Sequence, residues 1–367
     1  MCKYVSGFPS EYNYCDQPHG LTNRFPRITH MPVFPQGKWL VVALRTGQLA
    51  NRIILFANVI AFAEERGYRV LNPAFQTYAA LFESTRDTLL CPYPPPPPRR
   101  LSRGRDAVYG TLRFTRLLYH IAFRLTRFVN RVPRLAPWIC GIESPVGPRG
   151  VDLTAPPIYE QIRETRIALL RGWEFRDTVG VTRHADRIRA YFTPTTGHRA
   201  AVAARVAAAR QGCNLLIGVH VRHGDYVNYM AGRYFYPVDR YRDLMAALQA
   251  RYSSERVGFL VCSDAALRLT DFPGLPVTLG SGVAIEDLYA LAACDRLVGP
   301  PSTFTQWASF YGRVPLYYIR DPMASPDDED FAVASLAWFV DSFSRDSMAN
   351  PPFEPHRSAY ASRLSPL

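Results

Sequence analysis

The sequence predicts an α/β protein built on two parallel, doubly wound sheets, and three observations predict it. Short apolar runs rich in Val, Leu and Ile alternate with helix-length segments from residue 38 onward, the pattern of strands covered on both faces by crossover helices. Residues 38–71 open with a strand, a tight turn, a helix and a second strand, and residues 213–320 repeat the β-α alternation without interruption. A chain of 367 residues is long enough for two domains, each with a core of its own.

Residues 1–37 carry aromatic, Pro and Asn residues with no sustained period and read as an irregular N-terminal arm. The first strand is Trp39-Leu40-Val41-Val42-Ala43-Leu44, stopped by Arg45-Thr46-Gly47. Gln48 to Arg66 is apolar almost all round, so that helix is expected between layers, with Gly67 as its stop. Tyr68 to Leu71 completes a βαβ unit in which the helix N-terminus turns its free amides to the crevice at the strand ends. Asn51, in the first helical turn, can offer a donor and an acceptor to a bound group, or hold its own loop together.

Five prolines follow Tyr93, and Arg99-Arg100-Leu101-Ser102-Arg103-Gly104-Arg105 follow them. Proline removes backbone donors, so residues 91–105 are expected as an extended surface excursion. From Leu112 to Val132, Phe114, Leu117, Leu118, Ile121, Leu125, Phe128 and Val132 recur at helical spacing. Arg113, Arg116, His120, Arg124, Arg127 and Arg131 flank that stripe. Such a helix can lie in an anionic membrane surface, or pack its apolar face on the domain and leave its arginines solvated. Ile167 to Trp173 reads as a strand leading through Glu174 and Arg176 into Asp177, Arg183–Phe192 as a helix, and Arg199–Arg210 as a second helix closed by Gly212. The domain boundary falls near residues 193–212. The N-terminal domain is taken as 38–205, including the excursion and helix of 91–134, the C-terminal domain as 206–320, and the rest as an extension from 321.

In the second half, helices are expected at 238–252, 286–293 and from Pro300-Pro301-Ser302-Thr303 to about Tyr311. Strands are expected at 257–262, 276–279, 296–299 and 314–319, and Ser263-Asp264 is expected to cap a further helix. The acidic run Asp327-Asp328-Glu329-Asp330 follows no strand, and is expected as the acidic first turn of a helix over Phe331–Phe343 rather than as a metal site.

The net charge of +12 is compatible with nucleic acid, an anionic membrane or a polyanionic substrate. Ten arginines lie between residues 99 and 134 with one acid, Asp106. Five of them flank one Phe/Leu helix and none surrounds a nucleic-acid reader motif, which argues against nucleic acid as the partner. No apolar run reaches the ~18–20 residues that cross a bilayer, and the opening lacks an apolar signal core. Seven scattered cysteines without a C-x-x-C pair fit a reducing compartment. These features predict a cytoplasmic protein, peripheral to a membrane if the basic helix rests on one.

The chemistry is expected at Leu215-Leu216-Ile217-Gly218-Val219-His220-Val221-Arg222-His223-Gly224-Asp225-Tyr226, an apolar run that ends in charge. Alternation puts His220 and Arg222 on one side of the strand and Val219 and Val221 on the other. A positive φ is expected at Gly224, where the chain turns. A guanidinium at a strand's carboxyl end suits a phosphate, although Arg222 could instead pair with Asp225.

The run His220 to Tyr226 resembles the H-x-R-R-G-D-Y stretch of α-1,2-fucosyltransferases and, more loosely, that of α-1,6- and protein O-fucosyltransferases. Gly47-Gln48-Leu49-Ala50-Asn51-Arg52 resembles the G-x-L-G-N-Q/R opening of the same families. Asp287-Leu288-Tyr289-Ala290-Leu291-Ala292-Ala293-Cys294-Asp295, followed by Ser302-Thr303-Phe304-Thr305-Gln306-Trp307, is similar to their D-L-x-L-M-S-x-C-D…N-S-T-F-S-W-W segment. The resemblance covers residues 39–65 and 213–320. It implies a GT-B-like fold, two Rossmann-like domains facing a cleft, and an inverting transfer of fucose from GDP-fucose to a hydroxyl of an oligosaccharide or lipid-linked glycan. The linkage implied is α-1,2, with no metal and no cofactor beyond the donor; a transferase for another GDP-sugar is the alternative, and a basic nucleic-acid-binding protein is an alternative of another class.

By the same resemblance Arg222 contacts the donor diphosphate, and His223 stands where a second arginine is common. His220 and Asp264 lie at the nucleoside, Gly47 and Asn51 belong to the donor site, and Ser302, Thr303 and Phe304 line its phosphate–fucose end. Asp225 is the nearest carboxylate for the general base, with Glu174 further off. Relatives that place a Glu some five residues beyond the motif have no counterpart in Asn228-Tyr229-Met230.

Overall fold

The computed structural model describes residues 37–97, parts of 117–144, and 150–336, except Thr46, Leu89, Trp173, Pro322 and Ser325. The arm 1–36, the arginines of 99–116, Arg127, Arg134 and the segment from 337 on lie outside the described residues.

The first half contains β1 (Trp39–Val42), α1 (Leu49–Arg66), β2 (Arg69–Leu71), a 3-10 run at Pro73–Leu81, β3 (Ile139–Glu143), β4 (Val151–Asp152), α2 (Pro156–Glu164), β5 (Ile167–Arg171), β6 (Phe175–Arg176), α3 (Thr178–Arg183) and α4 (Ala185–Tyr191). Its main sheet has the order β2-β1-β5-β3 and is parallel throughout, and β4 pairs with β6 beside it. Then come α5 (Thr196–Ala209), β7 (Leu215–Val221), α6 (Val238–Arg251), β8 (Val257–Ser263), β9 (Val277–Leu279), α7 (Ala284–Leu291), β10 (Arg296–Gly299), α8 (Thr303–Gly312), β11 (Pro315–Tyr318) and β12 (Ala332–Val333). Their sheet runs β12-β11-β10-β7-β8-β9, parallel except for β12 at the edge.

The near-continuous apolarity of α1 is explained by its surroundings, since Leu49, Ala50 and every residue from Ile53 to Ala63 are buried. Gly67 ends it in the left-handed conformation at φ 65°, its N–H turned back to the carbonyls of Ala63 and Glu64, a stop that a side chain would strain. In β7, Ile217, Val219 and Val221 join Tyr241, Leu244, Met245 and Phe259 in one core, while Leu216 joins Leu288, Leu291 and Leu297 in the other. A strand covered on both faces is thereby fixed in register, because a one-residue slip would exchange its two faces.

Aromatic rings lock the two halves together. Phe192, just beyond α4, meets Phe56 of α1 at 5.7 Å and Trp307 of α8 at 5.2 Å, both edge to face. Such pairs add roughly 0.5–1.5 kcal/mol each beyond their buried area. Arg189 donates to the Phe310 carbonyl through Nε and Nη2 at 3.0 and 2.8 Å, and the Tyr289 hydroxyl donates to the Phe192 carbonyl. The helices that begin at the strand ends therefore hold fixed positions relative to each other.

Three expectations are corrected. No helix follows β8: Ser263 and Asp264 open a loop with only a 3-10 turn at Leu269–Asp271, since Pro273 and Gly274 interrupt the segment and the Asp264 carboxylate is engaged elsewhere. Residues 331–336 do not begin a helix, because Ala332 and Val333 pair antiparallel with β11. Within the acidic run, Asp328–Asp330 form a 3-10 turn; Asp327 accepts from Arg251, and Asp328 is held by Arg296 and Tyr252.

Of the segment 112–132, the described positions Leu117, His120–Ile121, Arg124–Leu125 and Phe128–Val129 are helical. Leu117, Ile121, Leu125 and Phe128 are exposed and Val129 is buried. Among the described residues no helix is long and apolar enough to cross a membrane.

Candidate active site

Gly47 turns the chain from β1 into α1 with φ at 63°, and a Cβ there would lie 2.2 Å from Asn51 Nδ2. Glycine is required on both counts, for the left-handed backbone and for the close approach of the Asn51 side chain. Arg52 braces the turn by donating from Nε to the Gly47 carbonyl and from Nη1 to the Ala74 carbonyl. Asn51 Oδ1 accepts from the Thr303 hydroxyl at 2.6 Å, so the start of α1 is bonded to the start of α8. Ser302 caps α8 by accepting from the Phe304 N–H, and Thr303 is the first residue of that helix.

The end of β7 meets these helix starts. His220 is buried and stacks on Phe304, with ring centres 4.9 Å apart and 26° between planes. Its Nδ1 has no hydrogen-bond partner. Burial, followed by the nearby charge of Arg222, pushes its pKa down to about 3, which leaves the ring neutral at physiological pH. The Tyr226 hydroxyl donates to the Pro301 carbonyl at 2.5 Å, a second tie between the β7 loop and the entry to α8.

Arg222 stands between two carboxylates. Its Nη2 donates to Asp225 Oδ1 at 2.6 Å and its Nη1 pairs with Asp264 Oδ2 at 2.9 Å. Its guanidinium lies 5.4 Å from the Tyr226 ring centre. The two acids differ in exposure, 62% for the Asp225 side chain against 25% for Asp264. Asp264 is further fixed by accepting from the His223 N–H at 2.8 Å. The Arg–Asp pairing allowed by the sequence is thus present, and Asp264 joins it from the end of the neighbouring strand.

Gly224 differs from expectation. Its φ is −8°, so a left-handed backbone is not the reason for glycine there. A Cβ would fall 2.4 Å from Asp264 Oδ2, and the absence of a side chain is what lets that carboxylate reach Arg222. The His223 ring turns aside, with Nε2 2.8 Å from the Tyr236 carbonyl and the ring tilted against Phe235. A carbonyl can only accept, so Nε2 carries the hydrogen. Burial is the main cause that lowers the His223 pKa and disfavours its charged form.

Part of the third motif shapes the sheet. Asp287 accepts from the Ser281 and Gly282 N–H groups and holds the turn into α7. Asp295 accepts both Arg210 Nη groups at 2.8 Å and the Leu216 N–H, which anchors the start of β7. Tyr226 and Tyr229, which have no role assignable from sequence alone, stack on each other at 5.2 Å and 26°, and Arg222 lies over Tyr226. Their signal was the pair of tyrosines directly after the charged turn. Among the described residues, no group of three or more His, Cys, Asp and Glu is placed to hold a metal ion.

The arrangement gathers a guanidinium, two helix starts and an aromatic floor at the carboxyl ends of parallel strands. Helix starts and guanidinium groups bind anionic oxygens, and in open α/β sheets this crevice is where ligands sit.

Residues 204–330 match the family model described as glycosyl transferase family 11. Among solved structures, a mutant of Arabidopsis thaliana FUT1 in complex with GDP is similar with a TM-score of 0.50 and 14% identity, over 82% of this chain and 75% of that one. The Bradyrhizobium NodZ α-1,6-fucosyltransferase soaked with GDP-fucose is 17% identical over 81% of this chain and 97% of that one, with a TM-score of 0.43. POFUT1 in complex with GDP is 11% identical over 75% and 94% of the two chains, with a TM-score of 0.42. No curated protein matches the sequence. The first of these likenesses shows the fold, an α/β, GT-B-like pair of Rossmann-like lobes. The family match spans two of the three motifs that carry the resemblance read from the sequence.

Proposed function

We propose that this protein transfers fucose from GDP-fucose to a hydroxyl of a glycan acceptor, inverting at the anomeric carbon and forming an α-1,2 linkage without a metal ion. One observation carries this proposal: three segments far apart in sequence meet at the carboxyl ends of the strands. They are joined by Thr303 to Asn51, Tyr226 to Pro301 and the His220–Phe304 stack. The family match over 204–330 and the GDP bound in the FUT1 structure of similar fold support a GDP-sugar as the donor, and the order of the β7 motif favours α-1,2 over other linkages.

In this mechanism Asp264 positions Arg222, and the donor diphosphate replaces the exposed Asp225 on the guanidinium. As the bond from the anomeric carbon to phosphate breaks, negative charge grows on the diphosphate. Arg222 and the positive end of α8 are fixed in place before that charge appears, and they need no reorganisation to meet it. The neutral His220 ring and Phe304 form the aromatic floor on which donor groups rest.

Calorimetry with GDP-fucose, GDP-mannose and a random RNA at two salt concentrations tests the donor class, and turnover of labelled GDP-fucose in chelator tests the chemistry. Preference for GDP-fucose with chelator-resistant turnover is expected. Preference for GDP-mannose would move the proposal to another GDP-sugar, and tight, salt-sensitive RNA binding without GDP binding would overturn it.

The exposed Leu117, Ile121, Leu125 and Phe128, with Arg124 and Arg131 exposed beside them, support placing this face on an anionic membrane that presents the acceptor. Apolar residues flanked by cations suit the headgroup region of anionic lipid. Co-sedimentation with phosphatidylglycerol vesicles, lost in a Leu117→Ser/Phe128→Ser variant, is the expected result. Equal binding of that variant, or none by the unmodified protein, would remove the membrane from the proposal.

A further inference from the structure

We infer that Glu174 is the catalytic residue that takes the proton from the acceptor hydroxyl, an assignment that rests on the donor chemistry proposed above. Glu174 lies between β5 and β6 in the N-terminal half, and its carbonyl accepts from the Val151 N–H at 2.7 Å, which fixes its backbone. The residue is 3% exposed, yet its Oε2 has no hydrogen-bond partner. Leaving a buried polar atom unsatisfied is costly, and more so when it is charged. Such an atom needs an explanation, and a hydroxyl group from a bound acceptor would supply the missing donor.

Its neighbours link it to the donor site. Two charged or titratable groups act on it from the elements packed around it: Arg176 from β6, and Tyr229 from the loop after β7. The Tyr229 phenol feels both Glu174 and Asp225. The Tyr229 side of the site is open, with that residue 42% exposed, and its ring stacks on Tyr226. Arg222 lies over Tyr226 in turn. Successive neighbours therefore connect Glu174, through Tyr229 and Tyr226, to Arg222. An unpartnered carboxylate oxygen stands at one end and the diphosphate-binding guanidinium at the other. Inversion requires the base and the leaving group to act on opposite faces of the sugar, and Glu174 is a carboxylate apart from the two that pair with Arg222. Asp225 lies on the leaving-group side and already has one oxygen on Arg222.

Burial raises the Glu174 pKa, with Arg176 acting in the opposite sense, and a carboxylate so raised is the better proton acceptor near neutral pH. In the step, the acceptor O–H bond breaks and its proton passes to Glu174 Oε2. The acceptor oxygen bonds to the anomeric carbon, the bond from that carbon to the β-phosphate oxygen breaks, and the electron pair leaves on GDP beside Arg222. The protonated Glu174 then releases its proton to solvent.

The test compares unmodified protein, Glu174→Gln and Glu174→Asp for GDP-fucose affinity, thermal stability and the pH profile of kcat, with water and lactose as acceptors. Glu174→Gln is expected to bind GDP-fucose within about twofold of the unmodified protein while kcat falls on the order of 10²- to 10⁴-fold. The acid limb of kcat is expected to vanish in Glu174→Gln and to persist, at lower activity, in Glu174→Asp. A Glu174→Gln protein within threefold of normal kcat, or one whose lost turnover follows lost stability or lost GDP-fucose affinity, would overturn the assignment and leave the donor chemistry standing. Failure of the unmodified protein to bind and turn over GDP-fucose would remove the donor chemistry and the assignment together.

Discussion

The Thr303 hydroxyl donates to Asn51 Oδ1 at 2.6 Å, across 252 residues of sequence. One bond thereby sets the start of α1 against the start of α8, the two helix ends beside Arg222. Asn51→Ala removes it and leaves the Thr303 hydroxyl without its partner. A net hydrogen bond contributes roughly 0.5–1.5 kcal/mol, so a stability loss of about that size is expected in urea unfolding. GDP affinity is expected to fall by about tenfold as the helix starts lose their alignment, roughly 1.4 kcal/mol. Unchanged affinity in calorimetry would separate this bond from the donor site.

Gly224 is small because Asp264 occupies the space a methyl group would take. Gly224→Ala is expected to push the carboxylate away from Arg222 and the His223 amide, weakening GDP binding by about tenfold, again roughly 1.4 kcal/mol. A variant with unaltered GDP affinity would show that Asp264 is dispensable for positioning the arginine.

The two carboxylates on Arg222 are expected to act in opposite directions. Asp225 is the exposed partner that the diphosphate replaces, so Asp225→Asn removes a competitor and should tighten GDP binding a few-fold, as the strength of an exposed ion pair, about 0.2–1 kcal/mol, allows. Asp264→Asn loosens the guanidinium and should weaken it. Parallel weakening by both substitutions would mean that the diphosphate does not displace Asp225.

His220 carries a pH signature in stability. Its folded pKa is depressed to about 3, below the ordinary imidazole value of about 6.5, so the unfolded chain takes up a proton in that window and the folded chain does not. The contribution is fully present above pH 6.5 and is lost progressively as pH falls toward 3. His220→Phe keeps a ring against Phe304 and removes the titration. Urea unfolding at pH 7 and pH 5 should show a smaller acid loss in the variant, whereas equal losses would place the sensitivity at other groups.

Much of the scaffold was legible because burial on two faces leaves a compositional trace. The all-round apolarity of α1, its Gly67 stop and the run in β7 each had one reading. The strand β3 was not legible: Ile139–Glu143 is short, holds Cys140 and Gly141 in its middle, and follows Pro137. Asp264 shows a different limit. An acid after a strand looks like a helix cap, and only the fold brings it beside Arg222 from 42 residues away. Gly224 was expected as a glycine for the wrong reason, since a local rule about φ cannot see a carboxylate arriving from β8. Glu174 was visible only as a distant carboxylate, because its approach to Tyr229 depends on how the two halves close.

The most direct test titrates GDP calorimetrically, in the presence of chelator, into unmodified protein and Arg222→Ala, with circular dichroism to confirm that both are folded. The guanidinium at the end of β7 is expected to supply the charge that holds the diphosphate. Affinity should fall at least about 100-fold in Arg222→Ala, roughly 2.7 kcal/mol, with chelator making no difference to the unmodified protein. Equal GDP affinity in the two folded proteins would contradict the account.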